Sequence, residues 1–282
     1  MTITYEDVVK AQQTQNKVIR KTNLEFSETF SKICGANVYL KNEYEQKTGS
    51  FKIRGAYYKI KSLTDDEKNK GVVAASAGNH SQGVAFASHI ENIPCTIVMP
   101  KNASPAKVAA TRGYGAKVVL KGITYDESWA YAKKISEESD STIIHAFDDS
   151  HVIAGQGVIG LEIIEQLPDV DEIYVPIGGG GLAAGIILAV KEKHPHVKII
   201  GVESNAYPAM KKSLENNSLQ TVNGATTIAD GISVKTPGKL TFEIIKQKID
   251  KIVTVDDSEI INAMFLLMER SKAVVEPAGA VA

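Results

Sequence analysis

Short runs rich in β-branched residues alternate with stretches of helical character along most of the chain, and this alternation constrains the fold more than any other feature. In the first series, strands are predicted at 72–75, 95–99, 117–120 and 142–145, and helices at about 83–89, at 106–114 and up to about 138. Strands separated by helices are typical of a parallel sheet with crossover helices. The sequence therefore predicts an α/β fold.

A second series of the same kind follows. It predicts a helix at 151–167, a buried strand at 172–177, a helix that Pro195 ends, and strands at 197–202 and 251–255. The segment 226–239 is predicted to be an ordered loop that leads into a helix through Lys248. The last predicted helix covers 257–272, with Ser258 as its N-cap and Asp256 or Asp257 as alternatives. Two α/β units side by side fit this pattern better than one continuous sheet.

Charge and composition exclude several classes of partner. The 32 basic and 33 acidic residues give a net charge of −1, and no basic block stands out to attract nucleic acid or an anionic membrane surface. No apolar run approaches the ~20 residues that a membrane span needs, and the N-terminus is polar and acidic, so the cytoplasm is the expected location. Cys34 and Cys95 stand far apart without a metal-binding or redox motif, and are expected to be neither a disulfide nor metal ligands.

One lysine lies in a setting that is unusual for a surface residue. Lys52 stands between Phe51 and Ile53 in the segment TGSFKIRG, where glycine and serine allow a ligand to approach closely. Burial lowers the pKa of a lysine amine, and such an amine forms Schiff bases with carbonyl cofactors. Lys52 is therefore a candidate nucleophile, although a lone lysine is normally a solvated surface group.

Two turns between a strand and a helix carry residues that a packed core does not select. The first is SAGNH, residues 76–80, where backbone N–H groups at a helix N-terminus suit an anion, although a plain turn explains it equally well. The second is the run Gly178, Gly179, Gly180, Gly181, which suits a phosphate held by bare amides. The glycine run matches neither the P-loop nor the dinucleotide fingerprint. One ligand with both an aldehyde and a phosphate would explain the lysine and the glycines together.

Five motifs carry a resemblance to a known family. GSFKIRG, SAGNHSQG, VIAGQG, PIGGGGL and EPAGA occur in the order seen in the fold-type II pyridoxal-phosphate enzymes, and the chain resembles the threonine dehydratases of that group, particularly the catabolic, AMP-activated kind. The resemblance covers nearly the whole chain. It implies a two-domain, three-layer αβα fold like that of tryptophan synthase β, with mostly parallel sheets. Residues 47–147 would form a smaller, mobile domain, and residues 1–46 and 148–282 a larger cofactor-binding domain.

The resemblance also implies roles for individual residues. Lys52 would hold pyridoxal 5'-phosphate as a Schiff base and remove the Cα proton of the substrate, with Phe51 packed against the cofactor ring and Asn79 bonded to the ring hydroxyl. The cofactor phosphate would bind the backbone amides of Gly178, Gly179, Gly180, Gly181 and Leu182. The substrate carboxylate would lie among Ser76, Ala77, Gly78, Asn79 and His80, with no catalytic role for His80.

The implied reaction is the deamination of L-threonine to 2-oxobutanoate and ammonia, and of L-serine to pyruvate. Amino-acid racemases of the same family are the nearest alternative, but they resemble this chain except for a serine base at the position of Ala77, and a methyl group cannot exchange a proton. Two further classes stay open: a cofactor- or nucleotide-binding chain without turnover, and a dinucleotide-dependent oxidoreductase.

Three departures from the family pattern bear on function. Family members continue beyond Ala282 with a helix, a strand and a serine-bearing turn, so the C-terminal part of the larger domain is expected to lie outside this sequence. Glu203 matches one acid of a divalent-cation site found in some relatives, but the second acid is absent, and no metal is predicted. AMP is expected at Lys47, Thr48, Gln82 and Gly113, although Gly113 replaces an acidic residue, and a homo-oligomer (dimer or tetramer) is implied.

Overall fold

The computed structural model describes residues 3–282, and its N-terminal region contains a small antiparallel pair of strands. The elements are helix α1 (Tyr5–Gln15), strand β1 (Leu24–Phe26), helix α2 (Glu28–Cys34) and strand β2 (Tyr39–Lys41). The two strands pair with Glu25 opposite Leu40. Neither strand is predicted from the sequence, because three residues are too few to show an alternating pattern.

A four-stranded parallel sheet is built from the first predicted series. In chain order its elements are α3 (Lys52–Lys61), α4 (Asp65–Lys70), β3 (Val72–Ala75), α5 (Asn79–Ile90), β4 (Cys95–Met99), α6 (Pro105–Gly113), β5 (Lys117–Leu120), α7 (Tyr125–Ser139) and β6 (Thr142–Ile143). The strand order is β5-β4-β3-β6, with every pair parallel, which confirms the predicted crossover pattern. Strand β6 ends before the predicted residue 145, because the ring of His145 accepts hydrogen bonds from the amides of Phe147 and Asp148 and turns the chain away.

A second parallel sheet is built from the second series. Its elements are α8 (Ser150–Gln166), β7 (Glu172–Pro176), α9 (Gly181–Lys191), β8 (Lys198–Ser204), α10 (Ala209–Glu215), α11 (Lys239–Lys248), β9 (Lys251–Val255), α12 (Asp257–Arg270) and α13 (Pro277–Ala280). The strand order is β7-β8-β9, and both pairs are parallel. Single 3-10 turns occur at Glu43–Glu45 and Asp230–Ile232. The chain therefore has the α/β architecture that the sequence predicts, with two parallel sheets, in addition to the small antiparallel pair.

One local prediction was wrong, and at another position the structure supports one of the predicted alternatives. Strand β7 was expected to be buried, but Tyr174 is 52% exposed, because β7 lies at the edge of its sheet in the described residues. The N-cap of α12 is Asp256 rather than Ser258: its carboxylate accepts from the Glu259 amide at 2.9 Å, and the Glu259 carboxylate accepts from the Asp256 amide at 2.8 Å. This reciprocal capping box satisfies two amides at once, whereas the Ser258 hydroxyl only donates to Asp256.

The core places the N-terminus of α3 at the junction of the two sheets. One cluster of buried apolar side chains surrounds α8 and α9, and another surrounds α3 and α5. Helix α3 packs against both α5 and α8, so its first residue, Lys52, faces the space between the two clusters. Within the part of the chain that the structure describes, no helix combines the length and apolar character needed to cross a membrane. The domain boundaries at residues 47 and 147 stay a prediction.

Candidate active site

The side chain of Lys52 is partly buried at the start of α3. Its Nζ donates to the carbonyl oxygen of Ala146 at 3.3 Å and lies 5.2 Å from the centre of the Phe51 ring. Gly83 of α5 lets the two helices approach closely, since a methyl group there would come within 3.0 Å of the Ile53 amide nitrogen. The close packing of α5 against α3 therefore fixes the backbone from which the amine of Lys52 projects.

The surroundings of Lys52 favour its neutral form. Desolvation by burial lowers the pKa of the amine from 10.5 to about 8, and the nearby negative charge of Glu276 opposes this effect. An amine with this pKa is partly unprotonated close to neutral pH, so it is available as a nucleophile and as a base.

We expect the lowered pKa to be visible in the chain without any ligand. Lys52 should react with an amine-specific reagent half-maximally near pH 8 in the native chain and near pH 10.5 in the urea-unfolded chain. Because the unfolded state binds the proton more tightly, this residue makes the folded state more stable as the pH rises from about 8 to 10.5. Peptide mass spectrometry after labelling at a series of pH values measures both curves. Coincident curves would show that burial does not perturb the amine.

The turn between β3 and α5 lies on the same cleft as Lys52. All five predicted substrate-binding residues line this cleft: Ser76, Ala77, Gly78, Asn79 and His80. The turn is held by its own hydroxyl groups, since the Gly78 amide donates to Ser76 Oγ at 3.1 Å and Ser81 Oγ donates to the Gly78 carbonyl at 2.5 Å. Helix α5 begins here without a side-chain cap, so its first amides are available to an anionic group.

The ring of His80 is neutral, and its Nδ1 is a hydrogen-bond acceptor that no other described residue uses. Its Nε2 lies 2.9 Å from the carbonyl oxygen of Ile144, and because a carbonyl only accepts, Nε2 carries the proton. Burial, together with the smaller effect of the charge of Lys52, lowers the pKa of His80 to about 3. Nδ1 has no hydrogen-bond partner among the described residues, and the same is true of the buried Ser50 hydroxyl, which also lines the cleft. These two groups are suited to contact a ligand.

The glycine run forms the opposite wall of the cleft. It follows β7, and α9 begins at Gly181 without a side-chain cap. Gly180 has a φ of +93°, a left-handed conformation that side-chain-bearing residues rarely adopt. A methyl group on Gly179 would overlap the Phe147 ring, and one on Gly181 would lie 2.9 Å from Phe147 Cβ. Conformation and space therefore both require glycine, and the bare amides remain as binding groups.

The two turns follow the carboxyl ends of strands β3 and β7, which belong to different sheets. Between them lies a cleft of about 2210 Å³ that contains Lys52 and Phe51. Ligands of α/β proteins bind at the carboxyl ends of parallel strands. The Lys52 amine and the Phe51 ring thus share one cleft with the glycine loop, whose backbone amides can bind an anion.

Comparison with known proteins decides the family. The model of the pyridoxal-phosphate dependent enzymes matches residues 16–282 of the chain. The chain belongs to this family. It is 50% identical over 279 residues to the L-threonine ammonia-lyase of Thermotoga maritima, and the aligned region covers 99% of this chain and 70% of that protein. It is 47% identical over 280 residues to the catabolic L-threonine dehydratase TdcB of Escherichia coli K12, and the aligned region covers 99% of this chain and 85% of that protein.

Solved structures agree with the family fold. Maize serine racemase has a TM-score of 0.97 at 34% identity, and the match covers 100% of this chain and 85% of that one. The processed threonine deaminase isoform 2 of Solanum lycopersicum has a TM-score of 0.95 at 39% identity, and the match covers 99% of this chain and 77% of that one. The predicted two-sheet α/β fold with parallel strands is confirmed.

The residues of this pyridoxal-phosphate-dependent enzyme fit its cofactor. Lys52 offers a nucleophilic amine for the aldehyde, Phe51 an adjacent aromatic surface, and the loop from Gly178 to Leu182 bare amides for the phosphate. The Nδ1 of His80 and the Ser50 hydroxyl, which have no hydrogen-bond partner within residues 3–282, leave polar groups for a ligand that binds beside the cofactor. The Asn79 amide, predicted to contact the ring hydroxyl, donates to Glu276 Oε1 at 2.6 Å.

The remaining predicted residues lie away from the cleft. Lys47 and Gly113 are exposed, Thr48 is buried and Gln82 is half-buried, and none of the four lines the cleft around Lys52. The AMP site stays a prediction. Glu203 is fully buried, where its carboxylate accepts from the amides of Met210 at 2.8 Å and Lys211 at 2.9 Å. Burial raises its pKa to about 7, and its observed position is that of a cap on α10.

Sequence reasoning missed the segment that joins these walls. Ala146 accepts the hydrogen bond of Lys52, Phe147 packs on the glycine run, and Asp148 binds the N-terminal amides of α11. Glu276, at the start of the EPAGA motif, faces both Asn79 and Lys52. The acidic pair Asp148 and Asp149 before a helix was the available signal, since Asp149 caps α8.

Proposed function

We propose that this chain is a threonine ammonia-lyase that converts L-threonine to 2-oxobutanoate and ammonia, and L-serine to pyruvate. One observation carries the proposal: a partly buried lysine amine shares a cleft with a glycine loop, in a chain 50% identical to an L-threonine ammonia-lyase over 99% of its length. The 47% identity to TdcB supports the same reaction.

The cofactor, when bound, supplies a ring that stabilises negative charge at the substrate Cα. Lys52 would hold the cofactor through its amine, and the same nitrogen, when free, would accept the Cα proton of the substrate. A pKa of about 8 suits this task, because a base works best when its pKa lies near the working pH. The hydrogen bond to the Ala146 carbonyl gives the amine a fixed starting direction.

The other residues orient the substrate and hold the cofactor. The free amides at the start of α5 and the hydroxyl of Ser76 hold the substrate carboxylate, and the loop from Gly178 to Leu182 holds the phosphate. Holding both ends would orient the Cα–H bond toward Lys52. Loss of the Cα proton and the β-hydroxyl gives an enamine and water, and hydrolysis of its imine form then gives 2-oxobutanoate and ammonia.

The test is spectroscopic and chemical together. Purified protein mixed with pyridoxal phosphate should show a visible absorbance band that borohydride fixes onto Lys52, and L-threonine should then yield 2-oxobutanoate. A peptide map locates the reduced adduct. A band without keto acid would reject the proposed reaction, and no band at all would reject the assignment of Lys52.

Serine racemisation is the second candidate function, since maize serine racemase has a TM-score of 0.97 with this chain. Ala77 argues against it, because its methyl group lies in the cleft where the resemblance places a serine that exchanges a proton. We expect no measurable interconversion of L- and D-serine in the natural chain, and a detectable rate in Ala77→Ser. Chiral chromatography measures both. Interconversion by the natural chain would favour the racemase.

We also propose that AMP binds at Lys47, Thr48, Gln82 and Gly113, that the active form is a homo-oligomer in the cytoplasm, and that residues 47–147 move as a unit. The AMP site, the oligomer and the movement rest on the family resemblance, whereas the location rests on the lack of any apolar run of about 20 residues in the sequence. Keto acid formation with and without AMP tests the effector. Sedimentation velocity of the purified chain tests the oligomer.

A further inference from the structure

We propose that Thr241 is a positioning residue for the glycine loop, because its hydroxyl holds the Gly179 carbonyl so that the next amide faces the cleft. The inference deepens the proposed function, since it assigns a group that orients the phosphate site. Thr241 is fully buried on the first turn of α11 and does not itself line the cleft. Neither the sequence motifs nor the resemblance singles it out.

The hydrogen bonds around the Gly179 carbonyl are specific. Thr241 Oγ1 lies 2.6 Å from this oxygen and 3.1 Å from the Gly238 carbonyl. A hydroxyl has one proton, so it donates along the shorter contact to Gly179. The Gly238 amide adds a longer bond to the same carbonyl oxygen at 3.3 Å. Two groups at the start of α11 thus hold one carbonyl of the loop.

Because of the geometry of the peptide bond, the hydrogen bond from Thr241 also determines the direction of the next amide, that of Gly180. The peptide bond is planar and trans, so the Gly179 carbonyl and the Gly180 N–H point in opposite directions. Because the carbonyl points toward Thr241, behind the loop, the Gly180 N–H points toward the cleft that the loop lines. The left-handed φ of Gly180 then starts α9, whose first amides also have no side-chain cap.

Asp148 explains why α9, rather than α11, offers amides to an anion. Its carboxylate accepts from the amides of Lys239 at 3.0 Å, Leu240 at 2.9 Å and Thr241 at 3.2 Å. The N-terminus of α11 is therefore already occupied by a carboxylate of the chain itself. The same contacts fix Thr241 against the segment whose Ala146 carbonyl accepts the hydrogen bond of Lys52.

The experiment compares ligands with and without a phosphate. Cofactor-free protein is titrated with pyridoxal phosphate and, separately, with pyridoxal, and dissociation constants are read from absorbance. Thr241→Val should weaken binding of pyridoxal phosphate about tenfold, because the Gly179 carbonyl loses its better donor, while binding of pyridoxal changes less than about twofold. Thr241→Ser keeps the hydroxyl and should restore the natural affinity.

A matched control removes an equally buried hydroxyl elsewhere. Ser213 is fully buried, and its Oγ donates to the Ala209 carbonyl at 2.6 Å within α10. Ser213→Ala should leave both dissociation constants within about twofold of the natural values. Circular dichroism reports the fold of each variant, and Thr241→Ala serves if the valine variant does not fold.

Three results would overturn the inference. Equal losses for pyridoxal phosphate and pyridoxal would show a general structural role, and no loss for either would show that the hydrogen bond is dispensable. If the natural chain binds pyridoxal phosphate no more tightly than pyridoxal, the glycine loop is not a phosphate site, and the inference fails. By contrast, a selective loss in Thr241→Val together with no 2-oxobutanoate from L-threonine would uphold the inference and reject the proposed reaction.

Discussion

Lys52→Ala is expected to lower the rate of 2-oxobutanoate formation from L-threonine by at least about 10³-fold. The reason is that one amine both holds the cofactor and accepts the Cα proton, and a methyl group does neither. The side chain lies at the start of α3, where its amine makes one hydrogen bond of 3.3 Å to Ala146, so its removal should leave the helix in place. Steady-state keto acid assays with added pyridoxal phosphate measure the effect.

The control is a lysine on the same helix. Lys61 is exposed at the end of α3 and pairs with Glu91 at 2.8 Å, so Lys61→Ala should keep the natural rate within about twofold. A small primary amine added to Lys52→Ala should restore part of the activity, since it supplies the missing base. Keto acid well above background in Lys52→Ala without added amine would refute the role assigned to Lys52.

The sequence predicted the sheets because their residues carry the information locally. The β-branched runs of β3, β4 and β8 lie within a few residues of their predicted bounds, and alternation with helices was enough to predict parallel pairing. Prediction failed where the outcome depends on a distant partner. The exposure of Tyr174 follows from the edge position of β7, which no local pattern reveals.

In the candidate site, too, the residues with a local sequence signal were predicted and those that depend on a distant partner were not. Lys52 and the glycine run were found because an out-of-place residue type and a repeated residue are visible in the sequence. The Ala146 carbonyl was not found, because every residue has a carbonyl and only the fold brings this one to Lys52, 94 positions away. Thr241, 62 positions from Gly179, is hidden for the same reason.

Glu162→Gln is expected to lower the free energy of unfolding by about 3–5 kcal/mol, as removing one partner of a buried ion pair typically does. Arg54, fully buried two residues after Lys52, donates to Glu162 at 2.7 Å and to Glu43 at 2.8 Å. Lys41 also pairs with Glu162 at 2.7 Å, and burial lowers the pKa of its amine despite this partner. The neutral amide would leave two buried cations with one carboxylate between them.

The same substitution on the surface of the same helix isolates the effect of burial. The side chain of Glu162 is 6% exposed, whereas that of Glu165, which pairs with Lys21 at 2.6 Å, is 59% exposed. Glu165→Gln should therefore cost less than about 1 kcal/mol, because solvent screens its pair. Urea unfolding followed by circular dichroism compares the two variants, and equal midpoints would contradict a structural role for the buried network.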